Sequence, residues 1–379
     1  MTTKKTSGMI ESASRFSLVI VGRSYEISAI SKCFESTAVQ VYGLPTDMIP
    51  RSGNFNEEPL AGPLCILPLC HDYKEHLVKS KLILEGGCVL FPEGESAKIE
   101  TDRIFAFDLA KKVGLPVASS YLFEAKAAMN FVNESEVPIV LKNPRCPARD
   151  GVFTSIFHSK STARAFLKEL PQESSVFLQE HVSGSEISHT AFVSGENISS
   201  LVTSREFKAI SPESGELLMP PIAGISEVDP DDQYGLAKQL LHPLRSWLST
   251  VGYRGFLQVS AILAENVCSI IEFNIRLGVT VGPLLLQQLK NPSRFIESIA
   301  FGECVEVEVE EGCGWACSLT PIPDEETEMV SKGSQPQAFF GFGGTRNFAS
   351  DSLKQKIELV RPDLVNQIPG DFEATPWVD

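Results

Sequence analysis

The sequence predicts an α/β protein: an N-terminal doubly wound parallel-sheet domain, then a larger part that mixes sheets and helices. Three observations predict it. From Phe16 to Phe91, short apolar runs alternate with helix-length stretches, the pattern of strand–helix–strand units in a parallel sheet. After Val137 the strands come back across short polar turns, as at Ser194-Gly195-Glu196-Asn197, which suits hairpins. Finally, in Ile270–Gly278 the residues Ile271, Phe273, Ile275 and Leu277 alternate with Glu272, Asn274 and Arg276, a period of two with one apolar and one polar face.

Taken in order, 1–15 is polar, rich in Ser, Thr and Lys, and reads as a flexible lead-in. Phe16–Gly22 is an apolar run ending in glycine, a buried parallel strand entering a turn. Ser24–Phe34 reads as a helix with Ile27 and Ile30 inward, Ala38–Tyr42 and Leu64–Leu69 as strands, Asp72–Leu84 as a helix, and Val89–Phe91 as a fourth strand. The turn after the first strand of such a sheet is a ligand position, yet Gly22-Arg23-Ser24-Tyr25 carries one glycine and no dinucleotide fingerprint. A boundary near residue 95 follows, with Ser96 or Thr101 as candidate caps for a helix through Arg103, Phe105 and Leu109. Strands are expected at Val137–Leu141, Val152–Phe157 and Val176–Glu180, and a helix at Ser161–Leu170. A hairpin joins His189–Val193 to Ile198–Thr203, with Lys208 beyond it. Ser211–Pro230 reads as a long loop and Tyr234–Gly252 as a helix interrupted at Pro243. Gly255–Leu263 is a strand expected to pair with the Glu272 strand, setting Gln258 near Glu272 or Asn274. Two helices run from Gly282 to Phe301, and the tail from Gly302 reads as loop-rich. The expected domains are 16–95, 96–302 with a lid over about 138–200, and 303–379.

The totals exclude some classes. A formal net charge of −15 over 379 residues speaks against nucleic acid or an anionic membrane as partner. No run approaches the ~20 apolar residues of a membrane helix. Nine scattered cysteines and six histidines show no metal-ligand spacing, so a reduced cytoplasmic protein is expected. His71 and His76 read as helix-surface residues.

The polar row carries the chemistry. Same-face residues on a strand stand roughly 7 Å apart, so Glu272 and Asn274 can share a hard divalent cation through oxygen, while Arg276 can hold an anion. Lys142 ends a strand before a loop, where a lysine can cover phosphates. The edge at Gln179–Val182 can pair its backbone with an adenine ring, and Glu186 can accept from ribose hydroxyls.

Five segments occur in an order and spacing that resembles the ATP-grasp superfamily, and within it the glycinamide ribonucleotide synthetase (phosphoribosylamine–glycine ligase) family. They are Phe91–Arg103, Gly114-Leu115-Pro116, Val140-Leu141-Lys142, Leu178–Glu186 and Ile271–Arg276. The resemblance implies an ATP-grasp fold, two α+β subdomains clasping ATP, followed by a small C-terminal domain. It implies that Glu272 and Asn274 bind Mg2+ (or Mn2+) and that Lys142 holds ATP phosphates. Gln179, Glu180 and Val182 would form the adenine hinge and Glu186 the ribose contact. Arg103 stands where the family has a phosphate-contacting lysine, Lys208 at its lysine after the hairpin, and Arg276 would meet phosphate or an acyl-phosphate; Arg276 and Lys208 are thus the candidate catalytic residues. The implied reaction is activation of a carboxylate by ATP to an acyl-phosphate and its capture by an amine, with a homodimer as one assembly option.

The departures concentrate at the substrate end. Arg149-Asp150-Gly151 replaces Gly-Lys-Gly, Leu67-Pro68-Leu69 replaces Gly-Pro-Glu, Leu218–Gly224 replaces Thr-Gly-Gly-Met-Gly, and Gly278-Val279-Thr280-Val281 replaces Gly-Asp-Pro-Glu. The leading expectation is therefore a ligase for an amino acid or peptide-like acid and an amine. The alternatives are the family reaction itself and a non-catalytic nucleotide-binding relative.

Overall fold

The structure, a computed structural model, describes residues 16–35, 39–46, 63–79, 87–135, 138–145, 154–210, 218–264, 267–278, 280–302, 307–319 and 338–369. The lead-in 1–15, the Arg149-Asp150-Gly151 segment and parts of several predicted elements lie outside these residues.

The N-terminal layer holds β1 (Ser17–Gly22), α1 (Ser24–Ser31), β2 (Gln40–Pro45), β3 (Leu64–Pro68), α2 (Tyr73–Lys79) and β4 (Cys88–Val89). Its four strands pair in parallel in the order β2-β1-β3-β4. β1 and β3 are buried along their whole length, which is why they read as unbroken apolar runs. His71 precedes α2 and is largely buried, so it is not the helix-surface residue that the sequence suggested. His76 does lie on α2, paired with Asp72 at 3.2 Å.

A short helix α3 (Lys98–Thr101) leads into α4 (Arg103–Lys112). The cap of α4 is Asp102, whose side chain accepts from the Phe105 N–H, in place of the expected Ser96 or Thr101. Asp102 sits in extended backbone directly before the first helical turn, the geometry a capping carboxylate needs.

Next come β5 (Ser120–Glu124), α5 (Ala125–Glu134), β6 (Ile139–Lys142), β7 (Thr154–Phe157), α6 (Lys160–Glu169) and β8 (Ser175–Glu180). They form a separate antiparallel sheet, order β5-β8-β6-β7, with α5 and α6 packed together on it around Ala128, Val132, Ala163 and Leu167. This unit covers 120–180, and the strands beyond residue 185 belong to a different sheet.

That second sheet is the largest. Its strands are β9 (Ser185–Ser194), β10 (Asn197–Ile210), β11 (Leu218–Val228), β12 (Arg254–Ala264), β13 (Val267–Asn274), β14 (Trp315–Leu319) and β15 (Phe339–Gly343). Their order is β13-β12-β9-β10-β11-β14-β15, antiparallel throughout. Between β11 and β12 lie a π-helical turn (Ala237–Leu241), a 3-10 turn holding Pro243, and α7 (Arg245–Thr250); the proline breaks the helix as expected. α8 (Val281–Gln288), α9 (Pro292–Phe301) and α10 (Arg346–Val360) follow, with a 3-10 helix at Pro362–Gln367 after α10.

Two expectations are corrected. Leu218–Val228, read as loop, is a strand paired with β10. The tail, read as loop-rich, adds β14 and β15 to the large sheet across the boundary expected at 303, and α10 packs on β15. That packing needs glycine. A Cβ on Gly341 would lie 2.3 Å from backbone atoms of both Ala349 and Leu353, so α10 touches the strand backbone directly. Gly341→Ala is expected to destabilise the protein by about 3 kcal/mol or more through overpacking, seen as a lower midpoint of thermal unfolding. An unchanged midpoint would contradict that contact.

Candidate active site

The sheet's polar face forms the floor. Register aligns Glu272, Ser260, Ser188 and Ser204 in one row across β13, β12, β9 and β10, and Asn274, Gln258 and Thr190 in the next. Directly paired residues share a face, so Glu186 and Glu206, two residues along β9 and β10, stand on it too. Short hydroxyls between the carboxylates keep this floor low; Ser188 and Ser260 are bonded to each other at 2.8 Å.

β13 departs from the simple alternation. Glu272 faces Ser260 while Ile270 faces Ala261, so Ile271 is the extra residue of a bulge. Ile270 and Phe273 are buried and Ile271 is not, which corrects the predicted apolar row. The strand ends at Asn274, so Arg276 lies beyond it. The bulge frees the Ile271 carbonyl, which accepts from Lys142 Nζ at 3.1 Å. That bond ties the end of β6, in the small sheet, to the edge of the large one. Arg103 makes a second tie: its Nε donates to Asn143 O at 2.9 Å and its Nη1 lies 3.9 Å from Glu272 Oε2.

The register shifts beside Lys208 place their extra residues on β11, and Lys208 follows Ser204 and Glu206 by simple alternation along β10, which puts it on the same face. Its Nζ donates to Glu186 Oε1 at 3.0 Å and lies 3.8 Å from Glu272 Oε1. Three carboxylates, Glu272, Glu186 and Glu206, outweigh the opposing effect of burial and hold its ammonium above the ordinary lysine range. Burial would raise the Glu272 carboxyl, but Lys208, Lys142, Arg103 and Arg276 overcome it and hold the group at about 2. Lys142 goes the other way: burial first, then Arg103 and Lys208, push it down to about 7 against the pull of Glu272 and Glu186. Glu206 accepts from the Thr280 hydroxyl, and burial raises its carboxyl.

Asn274 Nδ2 donates to Gln258 Oε1 at 3.1 Å, which turns the Asn274 oxygen away from Gln258. Glu272 and Asn274 thus present a carboxylate and an amide oxygen, the donor set of a hard cation. Gln258 is 3% exposed, and its bond fixes the orientation of the Asn274 amide. Gln258→Leu is expected to weaken Mg2+ about ten-fold, the size of an outer-shell effect, measured as the Mg2+ dependence of ADP formation. An unchanged dependence would remove Gln258 from the site.

The other predicted residues fall into two groups. Glu186 belongs to the charged cluster. Gln179 is buried on β8 and donates to Ser120 Oγ at 3.3 Å; Glu180 N–H donates to Ser119 O at 2.9 Å, and Val182 follows where β8 has ended. β8 lies inside the small sheet, paired with β5 and β6, so Gln179 and Glu180 do not form the open edge that the sequence suggested, and Val182 follows beyond the strand. Arg276 Nε is 4.0 Å from Glu100 Oε1. Glu100 is a residue that sequence reasoning missed. It is buried, 3.1 Å from His71 Nε2, and accepts from the Ile275 N–H at 2.7 Å. Its only sequence signal is a carboxylate inside the Phe91–Arg103 segment.

His189, Asp229 and Asp232 also come together, their ligand-type atoms within 4.8 Å, although the histidines show no such spacing in sequence. All three side chains are engaged. His189 meets Thr203 and Ser200 hydroxyls, Asp229 accepts from Thr203 Oγ1 and Gln233 N–H, and Asp232 accepts from the Ala237 and Lys238 N–H groups. Burial drives the His189 ring down to about 4. The network anchors the helical segment after β11.

A small antiparallel sheet facing a larger one, with lysine, arginine and acidic side chains between them, defines the ATP-grasp fold. The Thermotoga maritima phosphoribosylamine–glycine ligase structure superposes with a TM-score of 0.65 at 20% identity, covering 90% of this chain and 96% of that one. An ADP complex of N5-carboxyaminoimidazole ribonucleotide synthetase superposes at 0.61 and 13% identity, covering 94% and 98%.

Within that fold, residues 101–280 match the phosphoribosylglycinamide synthetase ATP-grasp (A) domain. Phosphoribosylamine–glycine ligase of Caldanaerobacter subterraneus is 26% identical over 246 residues, 62% of this chain and 57% of the relative. That of Chlorobaculum tepidum is 27% identical over 242 residues, 59% and 56%. The chain spans a little over half the length of these curated relatives. No helix among the described residues is long and apolar enough to cross a membrane.

Proposed function

We propose that this chain is an ATP-dependent carboxylate–amine ligase that makes an amide through an acyl-phosphate, on an amino-acid or peptide-like substrate in the cytoplasm. The observation that carries the reading is the approach of Arg103 and Lys208 to Glu272, with Lys142 bonded to the adjacent Ile271 carbonyl, at the seam between the two sheets. Two cations beside one ionised carboxylate, with a lysine next to them that a phosphate would charge fully, suit a polyphosphate with a divalent cation.

In this reading Lys142 and Arg103 bind phosphates, and the Gln179–Glu180–Val182 segment takes the adenine where the chain leaves β8. Glu186 takes the ribose, exchanging its present bond to Lys208. Glu272 and Asn274 hold Mg2+ or Mn2+, which when bound neutralises phosphate charge. Lys208 and Arg276 face the transferred phosphoryl group and stabilise charge that develops on it. Residues 16–95 bear part of the substrate site, 96–302 the nucleotide site with the 120–180 sheet as its lid, and 303–379 completes the large sheet. Catalysis is positioning and electrostatics, with no covalent bond to the protein.

A second reading, phosphoribosylamine–glycine ligation, is supported by the names of the curated relatives. Incubation with ATP, Mg2+ and an amino-acid pool, followed for phosphate release and for new amides by mass spectrometry, separates the two. Amino-acid-dependent ADP formation selects the first, and turnover of phosphoribosylamine with glycine selects the second. Nucleotide binding with no turnover of either kind would leave the non-catalytic nucleotide-binding relative, and absence of binding at millimolar ATP would sink all three.

A further inference from the structure

Strand β13 ends at Asn274, so the ladder does not hold the chain that carries Arg276. The Ile275 N–H, between those two residues, is held by a side chain instead: Glu100 Oε2 accepts from it at 2.7 Å. The other oxygen, Oε1, lies 3.1 Å from His71 Nε2 and 4.0 Å from Arg276 Nε. Glu100 stands on α3, and His71 in the turn beyond the carboxyl end of β3, the side on which an open parallel sheet receives its ligands. One carboxylate thus joins three segments far apart in the chain. It is 5% exposed. Burial would raise its carboxyl, but the His71 bond, the Arg276 guanidinium and the Ile275 N–H hold it below the ordinary carboxylate range. An ionised carboxylate only accepts, so His71 Nε2 carries the hydrogen of their shared bond. A buried ion pair is weak evidence for stability, so this charge calls for another explanation. Arg276 supplies one, because its charge acts on Glu272 of the site floor as well as on Glu100.

Resting on the ligase reading above, we propose that Glu100 is a positioning residue that aims Arg276 at the transferred phosphoryl group. Oε2 fixes the peptide between Asn274 and Arg276, and Oε1 draws the guanidinium by charge. Glu100 itself meets neither nucleotide nor metal and acts through Arg276. It therefore favours a nucleoside triphosphate over a diphosphate, because the phosphoryl group that Arg276 meets is absent from ADP. His71 holds the same oxygen, which sets the end of β3 one residue away from the Arg276 pair.

The β,γ-imido analogue of ATP and ADP, each with Mg2+, are titrated calorimetrically into wild type, Glu100→Gln, Arg276→Gln and the double variant. Glutamine keeps an oxygen for the Ile275 N–H and removes the charge. Arg276→Gln is expected to lower the preference for the triphosphate on the order of 10-fold and Glu100→Gln about 5-fold, with the double variant no lower than Arg276→Gln alone. Multiplied losses, about 50-fold in the double variant, overturn the proposal, since Glu100 would then act independently of Arg276. An equal loss of both nucleotides in Glu100→Gln makes the residue merely structural and overturns it too. So does an unchanged preference in either folded single variant. Should the glutamine variant not fold, Glu100→Asp, which withdraws the carboxylate by one methylene, enters the same cycle with the same outcomes. Wild type that binds neither nucleotide sinks the ligase reading itself, whereas intact wild-type binding with any of the contrary results sinks only the role of Glu100.

Discussion

Replacing Glu272 by alanine is expected to reduce ADP formation on the order of 10³-fold, the scale of removing a principal electrostatic group from an active site. The argument rests on charge. Glu272 is held at about 2, so it is ionised at every pH at which the protein would work, and no pH change within the neutral range mimics its loss. It lies 3.8 Å from Lys208 Nζ and 3.9 Å from Arg103 Nη1. Removing it takes away a cation ligand and at the same time leaves those two cations without their shared counter-charge. The two effects separate by experiment. Turnover with Mg2+ collapses, while calorimetric affinity for metal-free nucleotide is unchanged or higher, because Lys208 and Arg103 become available to phosphate. A variant that turns over at the wild-type rate would refute the site. A parallel loss of metal-free affinity would make Glu272 a structural counter-ion only.

What could be read from sequence follows from the range of the forces involved. The Glu272–Asn274 row was legible because strand periodicity is local. β1 and β3 were legible because a strand buried on both faces has to be apolar throughout. β11 was hidden by Pro220 and Pro221, which mimic a loop. β14 and β15 were hidden because each is five residues long and neither alternates cleanly.

The bulges at Ile271 and beside Lys208 were not legible for a different reason. Register belongs to a pair of strands, not to one segment, and the bulge at Ile271 presents the carbonyl that Lys142 reaches. Glu100 escaped likewise, since its bond to Ile275 N–H spans 175 positions of chain. Sequence therefore showed which residue types stand at the site but not how they are joined. Those joints decide the protonation states on which the next prediction depends.

Lys142→Met is expected to weaken nucleotide binding about 10- to 100-fold, the size of a charge-assisted bond, and yet to stabilise the free protein at neutral pH. The side chain is 4% exposed and its pKa falls from the ordinary 10.5 to about 7, chiefly through burial. Between those two values the folded chain binds fewer protons than the unfolded one, so stability rises with pH across that window. The penalty of the buried charge is at full size below about 7 and gone above the unfolded value, with a ceiling of about 5 kcal/mol for a displacement of this size. Methionine keeps the apolar stem but gives up the bond to Ile271 O, so a net gain of about 1–3 kcal/mol is expected at pH 6. Urea unfolding at pH 6 and at about pH 10 tests the sign: the gain should shrink toward the higher pH. A gain independent of pH would mean that the ammonium is not held under electrostatic strain, and a loss at both would mean that the tie to Ile271 outweighs the charge. A lysine that destabilises the empty protein is one that a bound polyphosphate would relieve, since its phosphates would supply the counter-charge that burial withholds.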